Sequence, residues 1–181
     1  MDAGCLVVAV AGPHGSGRST QARLIAERYG LRYVSAGTLF RERAAELGLS
    51  LEEMSKRASE DPDLDGYLDS RTREESRRGG VVIDATLSGW MAEGANLRLY
   101  LACPLGERVH RIAEREGRVL AEVEAETRFR EDCERRRFRE YYGVDVDDLS
   151  VYDLVVNTAL FDAEATARIL KNVIDEYLGA R

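Results

Sequence analysis

The chain has 181 residues, 44% of them hydrophobic and 33% charged, which suits one domain with a buried core of its own. Its 26 basic and 33 acidic side chains leave a net charge of −7, which argues against broad binding to nucleic acid or to an anionic membrane surface. Cys5, Cys103 and Cys133 lie far apart, with only His14 and His110 to help, so neither a disulfide framework nor a zinc site is expected. The three thiols are read as buried or half-buried, in a reducing cytoplasm.

Residues 6–11, Leu-Val-Val-Ala-Val-Ala, form the continuous apolar run of a strand buried on both faces. Residues 1–11 carry neither a basic leader segment nor a small-residue cleavage site, and no apolar run approaches a membrane span, so a cytoplasmic location is expected. Directly behind the run, Gly12-Pro13-His14-Gly15-Ser16-Gly17-Arg18-Ser19-Thr20 fits the phosphate-loop pattern G-x-x-x-x-G-K-[ST] with one exception: Arg18 stands where lysine is asked for. The glycines let successive backbone N–H groups turn inward onto phosphate oxygens, and the following helix sets its positive end on the same spot. Ser19 is placed to hold Mg²⁺ beside the β and γ phosphates. The rival dinucleotide fingerprint fails, because Thr20 sits where a third glycine is needed.

Further along, residues 19–29 read as a helix closed by Gly30, residues 32–34 as a strand, and residues 38–47 as a helix closed by Gly48. Ser50-Leu51-Glu52-Glu53 is a capping box for another helix, and Asp61-Pro62 opens the next. Residues 81–84, 97–101 and 153–156 supply three more strands. Strands alternating with helices predict an α/β fold, a doubly wound parallel five-stranded sheet with helices on both faces and ligands at the carboxyl ends of its strands.

Two segments carry further chemistry. Ser35-Ala36-Gly37-Thr38-Leu39-Phe40-Arg41 follows the second strand, where Arg41 can fork onto a monophosphate while Gly37 admits a nucleotide closely. Residues 107–142 hold Arg128, Arg130, Arg135, Arg136, Arg137 and Arg139. A charge run of this kind alone reads as a solvated helix face; next to a phosphate loop it reads as a lid that closes on phosphate.

These strings resemble the archaeal-type cytidylate kinases of the nucleoside-monophosphate kinase family, P-loop enzymes. The likeness covers nearly the whole chain, through Ser35-Ala36-Gly37, Glu60-Asp61-Pro62, Leu87-Ser88-Gly89-Trp90, Arg115-Glu116-Gly117 and the segment from Tyr142 through Asp153 to Leu154. The resemblance implies a single kinase domain over residues 1–181, with monophosphate-binding helices at about 35–78 and a lid at about 107–142. It implies that Gly12, Pro13, His14, Gly15, Ser16, Gly17, Arg18, Ser19 and Thr20 hold the phosphates of ATP and that Asn157 lies near its adenine. Arg41 would hold the phosphate of CMP or dCMP, Ser35 and Gly37 would line the cytidine pocket, and Asp65 and Asp69 would belong to the mobile acceptor-side helices. Asp84 would orient a water on the Mg²⁺ held by Ser19, while Arg128, Arg130 and Arg137, with Arg111 and Arg115, would neutralise charge in transfer. No catalytic base is required, since the acceptor is already an anion. Trp90 and Tyr152 are read as packing residues.

The chain departs from the family's pattern at Arg18, at Thr38, where many relatives place aspartate, and at Ala85-Thr86, where a Gly-Arg pair is frequent. The alternatives are a kinase for another nucleoside monophosphate or small metabolite, and a non-catalytic nucleotide-binding relative. The implied partners are small nucleotides, with no nucleic acid and no membrane, and the chain is expected to be a monomer, with a dimer as the alternative.

Overall fold

The computed structural model describes residues 3–180, apart from the side chains of residues 3, 62–65 and 67–69. Its five strands are β1 (Val7–Ala11), β2 (Arg32–Ser35), β3 (Val81–Asp84), β4 (Leu97–Ala102) and β5 (Leu154–Asn157). They form one parallel sheet in the order β2-β3-β1-β4-β5. The strand order reverses on either side of β1, which opens a crevice at its carboxyl end where the phosphate loop begins.

Alternation along β1 builds two core layers. Val8 and Val10 pack with Ala22 and Ile25 of helix α1 (Arg18–Tyr29) and with Leu170 and Ile174 of helix α8 (Ala163–Gly179). Val7 and Ala9 face the other side, with Ile83, Ala85 and Ala92. Both faces of the strand are dry, which is why its sequence is apolar without a break.

The helices begin where local chemistry dictates. Gly30 closes α1 in the left-handed region at φ 63°. Helix α2 (Ala36–Glu46) starts two residues ahead of expectation, because the Ser35 hydroxyl accepts a hydrogen bond from the Thr38 N–H and caps it. Ser50 and Glu53 close a reciprocal capping box on α3 (Leu51–Ala58), and Pro62 opens α4 (Pro62–Arg77).

Residues 107–142 divide at Gly117 into α6 (Leu105–Glu116) and α7 (Leu120–Tyr142). As a charge run alone, this stretch reads as a solvated helix face. The two helices nevertheless share a small apolar core of Val109, Ile112, Ala113 and Val123, because their few apolar residues fall on facing stripes. The short helix α5 (Ser88–Met91) and the terminal α8 are not among the helices expected from the sequence.

Trp90 and Tyr152 pack edge to face at 5.7 Å, with Tyr100 5.0 Å from Tyr152, as packing residues should. Cys103 and Cys133 are buried, but Cys5 is exposed: it precedes β1 and lies outside the sheet, which corrects its expected burial. Among the described residues no helix is long and apolar enough to cross a membrane.

Candidate active site

The loop between β1 and α1 is shaped by close approaches only glycine tolerates. Gly12 has φ 145°, and a Cβ on it would lie 2.5 Å from the Leu101 carbonyl oxygen; Gly15 has φ 80°, with its Cβ position 2.7 Å from the Arg108 carbonyl oxygen. The loop is thus seated between the end of β4 and the start of α6. Thr158, just after β5, adds a third support by donating from its hydroxyl to the Ser16 carbonyl at 2.8 Å.

A cavity of about 400 Å³ opens over this loop, lined by residues 13–15 and 17–20 and by Arg41, Arg115, Arg118 and Arg130. A smaller one of about 70 Å³ adjoins it between α2, the end of β3 and α7, with Gly37, Phe40, Thr86 and Arg137 among its walls. Arg18, Arg41 and Arg130 line both. Three guanidinium groups therefore stand at the boundary of the two spaces. Burial and the neighbouring charge of Arg130 lower the pKa of Arg41.

Arg18 does not reach over the loop as a lysine would. Its Nε donates to Asp84 Oδ1, and its Nη1 donates to the Gly12 carbonyl at 2.6 Å and to Thr86 Oγ1 at 3.2 Å. Asp84 is wholly buried and also accepts from the Tyr33 hydroxyl at 2.6 Å. Burial pushes the Asp84 carboxyl up, yet the Arg18 charge and the neighbouring Ser19 and Tyr33 hydroxyls outweigh it and hold the carboxyl below its ordinary range. A hydroxyl and a carboxylate near each other at a phosphate loop are hard oxygen donors, which suits Mg²⁺ arriving on a triphosphate. Because both Asp84 oxygens already accept hydrogen bonds, its contact with such an ion would run through water.

Helix α7 grips the loop from the other side. Glu131 of α7 accepts from the His14 N–H at 3.2 Å and from Arg108 Nη1 at 2.5 Å; Glu134 pairs with the His14 ring at 3.1 Å. Burial pushes the Glu134 carboxyl up, but the charge of the paired His14 outweighs it and holds the carboxyl far below the carboxylate range. Arg108 is 6% exposed, and it also donates to the carbonyls of Cys103 and His14 at 3.0 and 2.8 Å. Sequence reading missed Arg108, Glu131 and Glu134, since charges in a charged segment carry no motif. The one available signal was that Arg108 immediately precedes Val109 on the apolar stripe of α6.

Several expected site residues stand elsewhere. Arg128 is not at the cavity: its side chain is 60% exposed and paired with Glu124 at 2.7 Å, one turn away on the water-facing side of α7. Arg111 donates to the carbonyl and hydroxyl of Thr158 and steadies the segment after β5. Ser35 is buried and spends its hydroxyl on the cap of α2, so it lines neither cavity. Asn157 turns its side-chain oxygen onto the Ala159 N–H, closing the turn after β5. Ser16 is fully buried under the loop, facing away from the cavity. The side chains of Asp65 and Asp69 lie outside the described residues; their backbone belongs to α4.

A family model described as an AAA domain matches residues 11–132. A cytidylate kinase of Staphylothermus marinus is 45% identical over 174 residues, covering 96% of this chain and 98% of its own. One of Pyrococcus horikoshii is 42% identical over 170 residues, covering 94% and 88%. Among solved structures, shikimate kinase from Acinetobacter baumannii aligns with a TM-score of 0.59 at 15% identity over 97% of this chain and 94% of its own. A deoxyadenosine kinase from M. mycoides with bound dCTP gives 0.54 at 15% identity over 94% and 100%. At such identities these two likenesses are of fold alone.

Proposed function

The chain belongs to the cytidylate kinase family, and on that premise we propose that it transfers the γ-phosphoryl group of ATP to CMP and dCMP, giving ADP and the corresponding diphosphate. The observation that carries the reading is the boundary formed by Arg18, Arg41 and Arg130, where a phosphate-loop cavity meets a second cavity built on α2. Two phosphate-bearing ligands approaching from those sides bring their phosphates together among the arginines.

In this reading the N–H groups of residues 15 and 17–20, at the loop and the N-terminus of α1, hold the donor phosphates. Ser19, with Asp84 behind a water, would hold the Mg²⁺ of the nucleotide, whose charge relieves the β and γ phosphates. Arg41 forks onto the acceptor phosphate, and Arg130 offsets charge on the phosphoryl group in passage. Since the acceptor oxygen is already anionic, the chain's work is alignment, neutralisation and exclusion of water. Residues 35–78 act as the acceptor-side helices and 107–142 as the lid. The smaller cavity is well below the several hundred Å³ a nucleotide needs, so acceptor entry parts α2 from α7. Unpaired Cys5, Cys103 and Cys133 support a reducing compartment, the cytoplasm.

ADP release measured across a panel of acceptors tests the assignment. CMP or dCMP should turn over ahead of AMP and GMP; AMP outrunning CMP at saturating ATP would overturn it. Arg41→Ala should weaken CMP binding about ten- to a hundredfold, the loss of one charge-assisted fork, with ATP binding nearly unchanged. An equal loss for both nucleotides would move Arg41 out of this role.

A further inference from the structure

Arg18 occupies the phosphate-loop position that the pattern gives to lysine, and its surroundings point it elsewhere. Its Nε is bound to Asp84 at the end of β3, and its Nη1 to the carbonyl of Gly12 and the hydroxyl of Thr86. These three anchors come from two neighbouring strand ends, and the guanidinium is planar, so they fix the direction of the remaining nitrogen. That nitrogen, Nη2, lies toward the first turn of α2. A methyl group added at Gly37 would sit 3.9 Å from Arg18 Nη2 and 3.5 Å from Arg41 Nη1. The two guanidinium groups therefore flank one point, above the first turn of the helix that Ser35 caps.

We propose that Arg18 is a ligand of the acceptor phosphate, forming with Arg41 a two-armed clamp over Gly37, instead of a substitute for a lysine that follows the donor γ-phosphate. This rests on the reading of the site as a nucleoside-monophosphate kinase. A side chain that follows a moving phosphoryl group needs a flexible stem and a mobile charge. Arg18 has neither, because reaching back over the loop would strip the buried Asp84 carboxylate of its cation and the Gly12 carbonyl of its donor. Its side chain is 10% exposed and its position is set by β1 and β3, which hold still when the helices part. A monophosphate at the clamp meets one fixed arm on the sheet and one arm on α2. Binding it thus draws α2 toward the strand ends, and the donor loop is left to the backbone N–H groups and Arg130.

The test is calorimetric binding of CMP alone and of MgADP alone to the natural protein, Arg18→Lys and Gly37→Ala, with melting temperatures as a check on folding. Arg18→Lys keeps the charge beside Asp84 but removes Nη2, so CMP affinity should fall about ten- to a hundredfold while MgADP affinity stays within threefold. Gly37→Ala puts a methyl at ordinary contact distance from both guanidinium groups, which leaves the fold intact and obstructs the clamp. It should weaken CMP at least tenfold and leave MgADP unchanged. If Arg18→Lys instead changes MgADP affinity or turnover and leaves CMP binding intact, Arg18 serves the donor and the proposal fails. If both affinities fall together with the melting temperature, Gly37→Ala decides: unchanged CMP affinity there overturns the clamp. Should the natural protein bind AMP or UMP and not CMP, the cytidylate reading fails alone, and the same variants measured with that monophosphate still judge Arg18. Binding of no monophosphate by the natural protein rejects both.

Discussion

Arg128 and Arg130 are separated by one residue in α7 and live in different surroundings. The outer face of that helix carries Arg128, Arg135 and Arg139, each exposed and each paired with a carboxylate, on Glu124, Asp132 with Asp147, and Asp145 respectively. The inner face carries Arg130, Glu131, Glu134 and Arg137, set against the phosphate loop or the cavities beside it. Arg130 has a side chain 14% exposed, a long contact of 3.8 Å with Glu126, and a buried Nε with no partner. The run of arginines therefore divides: Arg128, Arg135 and Arg139 have their charges answered by nearby carboxylates, while Arg130 stands at the boundary of the two cavities. Helical phase separates them, and composition does not.

The largest contrast should appear in turnover. Arg130→Ala removes a cation from the boundary of the two cavities and, on the proposed role, should lower kcat on the order of a thousandfold, the range seen for a positioned arginine in phosphoryl transfer. Arg128→Ala should stay within twofold in the same ADP-release assay. Comparable losses would erase the distinction between the faces.

Next comes stability. Arg108→Ala leaves Glu131 facing the loop without its cation, and breaking a buried pair in this way costs about 3 kcal/mol or more, read as a lower urea midpoint. Arg135→Ala should shift the same midpoint by less than about 0.5 kcal/mol, as exposed pairs do. The two variants reporting alike would place Arg108 among the solvated arginines.

Acid adds a third contrast, centred on Asp84. Its carboxyl is held below the ordinary range in the folded chain, so the Arg18 pair stabilises above the unfolded carboxyl value of about 4. That stabilisation is lost as pH falls through the depressed folded value. Thermal unfolding followed from pH 7 to pH 2 should show a steeper loss in the natural protein than in Asp84→Asn, which is less stable at pH 7 from the start. Parallel slopes would mean that Asp84 carries no such contribution.

The smallest effect concerns access. Trypsin should cut residues 128–139 several-fold more slowly when CMP and a non-hydrolysable ATP analogue are both present, because the inner face then gains its anion and α7 is held down. Unchanged cutting would return the whole helix to the solvated kind.

The sheet and the loop were legible because their signals are local. An unbroken apolar run means a strand covered on both faces, and three glycines ahead of Ser-Thr mark the position of the turn within a nine-residue window. Gly30, Gly48 and the Ser50–Glu53 box declared helix ends for the same reason. The arginines were not legible, because whether Arg128 or Arg130 faces inward depends on where α7 settles against α6 and the loop. The bond from Arg18 to Asp84 joins positions 66 residues apart, and no window along the chain contains both. Ser35 shows a third kind of miss: a serine after a strand serves a pocket and a helix cap equally well, and only the early start of α2 decides for the cap.

The placement of β1 has a consequence for how the molecule comes into being. Val8 pairs with Val82 on one side and Leu97 on the other, so β1 has no strand partner among residues 12–80, which follow it. Closing such distant pairings is slow, since chain entropy is lost before any contact returns it. The phosphate loop is therefore made before its backing at Leu101 and Arg108, which does not exist until β4 and the start of α6 have followed. The glycines that make the loop serviceable in the finished enzyme also leave it unsupported through that interval, and a nascent chain completes the nucleotide site only once the start of α6 has been made.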